Sequence, residues 1–218
     1  SALEHVDDLY SLTRLEYDVF SHCVSLISVD CSDKLTAIGS SAFFGCKALV
    51  SIGDLSNVTS IESSVFRGCI ALKSIGNMPK LESIGMQCFM GCTALETVGD
   101  LSSLKEIPSE TFDGCTSLVS IGDLSNVTII GSYGFNQCKK LTSIPNLGSL
   151  ERVDQFAFSG CESLALLGNL RKLTSFGNSP FVNSPFHNCP NLVLEVLPDS
   201  AAEQYAKNYS MRYTYITE

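Results

Sequence analysis

Cys46-Lys47-Ala48-Leu49-Val50-Ser51-Ile52-Gly53-Asp54-Leu55-Ser56-Asn57-Val58-Thr59-Ser60-Ile61-Glu62-Ser63-Ser64-Val65-Phe66-Arg67-Gly68 is followed by Cys69, and there the phrase begins again. Cysteines stand at 23, 46, 69, 92, 115, 138 and 161, each 23 residues after the last. A phenylalanine precedes every one by three: Phe20, Phe43, Phe66, Phe89, Phe112, Phe135 and Phe158. A period of this size held this tightly means a solenoid, in which each unit covers the apolar face of its neighbour.

Within the unit three pieces recur. Leu49–Gly53, Leu72–Gly76 and Leu118–Gly122 are short aliphatic segments followed by Asp or Asn, which reads as a strand entering a turn. Val58–Ile61, Leu81–Ile84 and Leu104–Ile107 read as a second short strand. Ser40–Cys46 and Ser63–Cys69 read as one helical turn, with the serine as cap and the glycine as the left-handed residue that ends it. The large apolar residues should stack in internal columns. Ser28, Ser51, Ser74, Thr97, Ser120 and Ser143 should face water, as should Asp54, Asn77, Asp100, Asp123, Asn146 and Asn169.

The ends depart from the period. Ser1 to Leu9 matches Thr93 to Leu101, so the chain opens in mid-repeat and is expected to continue upstream in the natural protein. After Cys161 the spacing fails: Asn178-Ser-Pro-Phe181 is nearly duplicated as Asn183-Ser-Pro-Phe186, which delays Cys189 although Phe181 is in register. From Pro190 the pattern changes to a strand, Leu192–Leu197, and a short helix, Ser200–Asn208. Leu192, Leu194, Leu197 and Tyr205 are then placed to close the open end of the stack. The organisation is a solenoid over 1–189, irregular in 161–189, with a C-terminal cap over 190–218.

Composition narrows the function. A net charge of −9 and a sequence pI near 4.8 argue against binding to nucleic acid or an anionic membrane. No stretch approaches the ~20 apolar residues of a membrane span. The ten cysteines contain no C-x-x-C pair. In a column spaced by roughly 4.8 Å they sit too far apart to match the ~3.8 Å Cβ separation of a disulfide, so they read as small buried hydrophobes. Off the frame are Cys31 and Cys88. Cys88, with Met86 and Met90 nearby, hints at a soft metal but suits core packing better. The acidic column, for instance Asp100 and Asp123, has carboxylates that suit calcium, though turn chemistry accounts for it more simply.

No catalytic set emerges. His5, His22 and His187 are far apart, no serine or cysteine has an evident histidine partner, and Gly131-Ser-Tyr-Gly134 is one residue short of a nucleophile elbow. Asn57, Asn126 and Asn208 open N-glycosylation sequons, the first two at the same repeat position.

Ser41-Ala-Phe-Phe-Gly-Cys46 and Phe156-Ala-Phe-Ser-Gly-Cys161, with their Leu-x-x-Ile pairs, resemble the leucine-rich repeats of the BspA-like, Treponema-type class. Val65, Cys88, Thr111 and Gly134 replace the alanine of that motif. The resemblance implies a leucine-rich-repeat solenoid (α/β horseshoe-type, rich in β) of about eight coils, which the ~4.8 Å strand spacing makes roughly 40 Å long. It also implies a secreted or surface-anchored, bacterial setting, and in several members adhesion to host proteins. The expected function is therefore non-catalytic recognition of an extracellular protein or glycan by a monomer without cofactor or metal. A passive spacer or a receptor ectodomain of a larger surface protein is the alternative. Coils differ most at Lys73, Glu96, Val119 and Thr142, and at Glu82–Ser83, Lys105–Glu106 and Glu151–Arg152, so those positions form the candidate binding surface.

Overall fold

The computed structural model describes residues 3–7, 9–177 and 184–217. Eight coils each give one two-residue strand to each of two parallel ladders, which strand pairing divides into three sheets on the first and two on the second. The first ladder begins at His5–Val6 and continues through Ser28–Val29 and Ser51–Ile52 to Leu166–Leu167; the second runs from Arg14–Leu15 to Ser175–Phe176. Register shifts by one repeat per step: His5 faces Ser28, Ser74 faces Thr97, and Glu106 faces Ile129. Each strand shows one residue to water and turns the next inward, as with exposed Ser74 and Ile75 at 2% exposure. The period-2 alternation of an extended chain does this directly.

The third side of the coil is the phenylalanine–cysteine turn, and here the expected helical turn is absent. Two residues before each phenylalanine the backbone is left-handed: Ser41, Ser64, Gln87, Glu110, Tyr133 and Phe156 have φ between 55° and 60°. Two residues after it the glycines, such as Gly45 and Gly68, are left-handed as expected, at φ 69° and 75°. A left-handed residue breaks the run of right-handed residues that a helix needs and turns backbone N–H groups toward the next coil. Phe43 N–H donates to Val65 O (3.0 Å), and Phe66 N–H to Cys88 O (2.8 Å). Strand N–H groups point the opposite way, as Val50 N–H does to Ile27 O at 2.8 Å. Each coil is thus bonded to both neighbours. Ser40 caps nothing; its hydroxyl donates to Glu62 Oε2 at 2.9 Å.

Inside, the phenylalanines from Phe20 to Phe158 form one parallel stack with centroids 5.1 to 5.4 Å apart and planes within 15°. The duplicated segment around Phe181 lies outside the described residues; Phe186, three before Cys189, continues the stack on Phe158 at 6.0 Å. The cysteines are free, and they do more than fill space. Cys69 Sγ donates to Phe43 O (3.1 Å), Cys92 to Phe66 O (3.0 Å) and Cys115 to Phe89 O (3.2 Å). The same carbonyl of Phe89 also accepts the N–H of Cys92 at 3.0 Å. Each in-frame thiol from Cys46 to Cys189 therefore occupies the second lone pair of a carbonyl one coil back.

The C-terminal segment is a β-α-β crossover. Val193–Val196 pairs with Leu166–Leu167, the helix Ala201–Asn208 crosses the end of the stack, and Arg212–Tyr215 pairs in parallel with Val193–Val196. The sequence did not betray that last strand. Ser200 caps the helix by accepting Glu203 N–H at 3.1 Å. Leu192, Leu194 and Tyr205 are buried as expected, and Tyr205 stacks on Phe176 at 3.9 Å. Leu197 is not: it is 38% exposed, and Val196 turns inward in its place.

Candidate functional site

The interior repeats, so whatever distinguishes this chain lies on its outer faces. The ten predicted positions, Lys73, Glu82, Ser83, Glu96, Lys105, Glu106, Val119, Thr142, Glu151 and Arg152, are all exposed. They divide between two surfaces. Lys73, Glu96, Val119 and Thr142 form one column beside the first ladder, tied by Glu96 N–H to Lys73 O (2.8 Å) and Val119 N–H to Glu96 O (2.9 Å). Glu82, Lys105 and Glu151 stand beside the second ladder, where Glu106 and Arg152 flank Ile129 in register. Arg152 Nε pairs with Asp154 Oδ1 at 3.1 Å. A groove of about 450 Å³ lies next to this second group, lined by Glu82, Ser102, Ser103, Lys105 and Asn126. Threonines at neighbouring positions are spent on the stack, for Thr128 Oγ1 donates to Lys105 O at 3.1 Å. Charged side chains are thus what this face leaves for a partner.

The acidic column is occupied by its own turns. Asp100 accepts the N–H and hydroxyl of Ser102 at 2.8 and 3.1 Å; Asp123 does the same with Ser125 at 2.8 and 3.0 Å. Among the described residues no cluster of three metal-ligating side chains forms. The sequon asparagines are likewise engaged: Asn57 Nδ2 donates to Asp33 O and Asn126 Nδ2 to Ser102 O, both at 2.8 Å.

One pairing missed in the sequence is His5 Nδ1 with Ser28 Oγ, 2.8 Å apart. Their 23-residue separation places them in register on adjacent strands. A nucleophile–base pair needs a third group to orient the imidazole, and no further hydrogen bond holds the His5 ring among the described residues. The fully buried thiols in the middle of the column are poor nucleophiles. Burial pushes Cys46 up to about 11 and Cys69, Cys92 and Cys115 well above the ordinary thiol value. Off the frame, Cys88 is fully buried in the core, and burial raises Cys31 to about 11.

The sequence reading also passed over the outward side of the phenylalanine–cysteine turns. Phe44, Arg67 and Met90 follow successive phenylalanines and stand side by side there. The signal was available, since residues at that position in other coils are small or polar, such as Ser21, Asn136 and Ser159.

A family model for the BspA-type leucine-rich-repeat region matches residues 2–108 and 82–192, in six copies. Among solved structures the chain is similar to a T. pallidum leucine-rich repeat protein, at 28% identity and TM-score 0.68, covering 75% of this chain and 79% of that one. It is similar to a leucine-rich repeat protein from Bacteroides ovatus at 25% identity and TM-score 0.54, covering 98% of this chain and 66% of the other. A leucine-rich repeat protein from Eubacterium ventriosum shares the fold at 20% identity and TM-score 0.64, over 86% of this chain and 63% of that one. No curated protein matches the chain.

Proposed function

Because the chain belongs to the BspA-type leucine-rich-repeat family, we propose that it is an extracellular or cell-surface binding module that recognises a host protein or glycan without catalysis, as a monomer. The observation that carries this reading is the contrast between a repeated interior and unrepeated exposed charges at Glu82, Lys105, Glu106, Glu151 and Arg152 on one ladder. Stacking needs none of these charges, because the strand backbones and the threonine hydroxyls already satisfy one another. Among the described residues no helix is long and apolar enough to cross a membrane.

An immobilised-ligand screen against host matrix proteins and glycans tests it. The screen is run beside a variant with Lys105→Glu, Glu106→Lys, Glu151→Lys and Arg152→Glu. Binding should weaken in the variant while the melting temperature stays nearly unchanged, since exposed pairs contribute only ~0–1 kcal/mol. Silence of the wild type across the panel would favour a passive spacer instead, and turnover of any substrate would overturn both readings.

A further inference from the structure

The turn side holds a groove whose shape comes from what is missing at one repeat position. Two residues after each phenylalanine the chain places His22, Gly45, Gly68, Gly91, Gly114, Gln137 and Gly160. Where that residue has a side chain, the side chain lies over the next glycine. A Cβ added at Gly45 would meet His22 Nδ1 at 2.9 Å, and one added at Gly160 would meet the Gln137 amide. Gly91 is open, with nothing within 4 Å of an added Cβ, and a Cβ at Gly68 would approach only the Gly45 backbone. The open floor of Gly68 and Gly91, with Gly45 beside it under the His22 ring, lies in a groove of about 400 Å³ lined by Val24, Phe44, Met90, His22, Lys47 and Arg67.

The lining is apolar with cations and carries no carboxylate. Among the described residues neither Lys47 nor Arg67 has a carboxylate partner, which they share with most Lys and Arg of the chain; what sets them apart is that they line one apolar groove together. Arg67 is nonetheless held in place. Its guanidinium sits 5.8 Å from the centroid of the Phe44 ring, and Nη1 donates to Gln87 Oε1 at 2.7 Å. A guanidinium has five N–H donors in a fixed fork, so most remain for an anion. On a chain of net charge −9 this is a local inversion of sign.

We propose that this groove docks an extended acidic peptide segment of a partner protein, an inference that rests on the binding-module reading. An aliphatic or aromatic side chain lies over the glycine floor between Phe44 and Met90, and its flanking carboxylate meets Arg67 and Lys47. From His22 to Gly91 is three coil steps, ~14 Å at the strand spacing, which accommodates about four extended residues. A sugar would demand acceptors as well as donors, and the lining offers apolar surface instead.

The probes are fluorescent eight-residue peptides carrying two acidic residues around one Leu or Phe. Counterparts replace the acids by Lys or the apolar residue by Ser. Two variants read the site without touching the core. Gly91→Asn fills the floor with a residue that accepts the left-handed backbone, as Asn188 does at φ 56°. Arg67→Ser installs the residue that Ser159 already supplies at the equivalent position. The acidic–apolar peptides should bind, with each counterpart and each variant weaker by about tenfold, the loss of one charge-assisted hydrogen bond or one filled apolar contact. Melting temperatures should not move. Equal binding of the Lys counterpart, or binding indifferent to Gly91→Asn, overturns the groove. Running the protein and glycan panel with Gly91→Asn separates the two readings. A partner that binds wild type and variant alike removes the groove but keeps the binding module, whereas silence of panel and peptides together removes both.

Discussion

The coil Cys115–Gln137 and the segment from Pro190 to Thr217 are of similar length and are built in opposite ways. The coil has two strands of two residues and no helix; the segment has two strands of four residues and a helix of eight. The reason is spacing. A coil must fit between neighbours ~4.8 Å away on the ladders, and its phenylalanines keep nearly that distance, 5.1 to 5.4 Å, on the third side. A helix is ~10 Å across with its side chains, and one per coil would splay that side apart. Only at the end of the stack does a helix meet no such limit. The coil therefore borrows its stability from copies of itself, whereas the C-terminal segment carries its own cap residue, its own Tyr205–Tyr209 ring contact and a buried carboxylate, Glu203.

The largest effect should come from removing that asymmetry. Truncation after Cys189 deletes the strand that pairs with Leu166–Leu167 and bares Leu167, Leu170 and Phe176. An exposed parallel edge beside an apolar end is an aggregation site. Size-exclusion chromatography should show aggregates, or melting should show a large loss. A soluble monomer with wild-type stability would mean that the coils close themselves.

Next in size is a charge inside the repeat. Ile75→Asp places an unpaired carboxylate at a position 2% exposed, and loss of about 4 kcal/mol or more is expected, enough to unfold a marginal domain. Ser74→Asp, one residue earlier and exposed, should stay within about 0.5 kcal/mol. Denaturant melts giving equal losses would contradict the alternation.

That inside–outside assignment was legible in the sequence because columns of Leu, Ile, Phe and Cys at one spacing admit only one stacking. What was hidden is set by neighbours rather than by local preference. Gln87, Glu110, Tyr133 and Phe156 are poor choices for a left-handed backbone, at a cost of ~1–3 kcal/mol each. The bonds from the turn to the next coil hold them there, and no single repeat announces those bonds. Arg212–Tyr215 was missed although Tyr213, Thr214 and Tyr215 are strand formers, because it lies outside the repeat frame and its residues are mostly exposed. Of the candidate site, the varying charges were readable as differences between coils. The groove was not, since His22, Gly45, Gly68 and Gly91 look like ordinary turn residues until the columns are set side by side.

A third prediction isolates the C-terminal segment by pH. Glu203 accepts from Lys207 Nζ (2.8 Å), Tyr215 OH (2.6 Å) and Asp199 N–H (2.9 Å). The bonds to Lys207 and then Tyr215 hold its carboxyl down at about 2. A carboxyl lowered in the folded state stabilises fully above its ordinary value of 4.5 and loses that contribution as pH falls toward 2. Melting temperature should drop across that window in the wild type. In Glu203→Gln it should start lower at neutral pH and fall less. Parallel curves for the two proteins would place the acid sensitivity elsewhere.

The smallest effect separates two accounts of the coil's cysteines. If Cys115 is only a small hydrophobe, Cys115→Ala should be mild and Cys115→Ser, which buries a hydroxyl, worse. The structure instead gives the sulfur a partner, Phe89 O at 3.2 Å. A serine hydroxyl keeps a donor aimed at that carbonyl; alanine keeps none and leaves a void. Alanine should therefore cost about 1–2 kcal/mol in urea melts, with serine costing no more. Alkylation of the native protein should label the partly buried Cys23 and Cys189 first, Cys31 slowly because burial raises its thiol to about 11, and the seven buried thiols only after unfolding. If serine is clearly the more damaging substitution, the thiol hydrogen bonds contribute nothing and the ladder is packing alone. If it is the milder one, the cysteine recurs every 23 residues because it is at once small enough for the stack and able to donate to it.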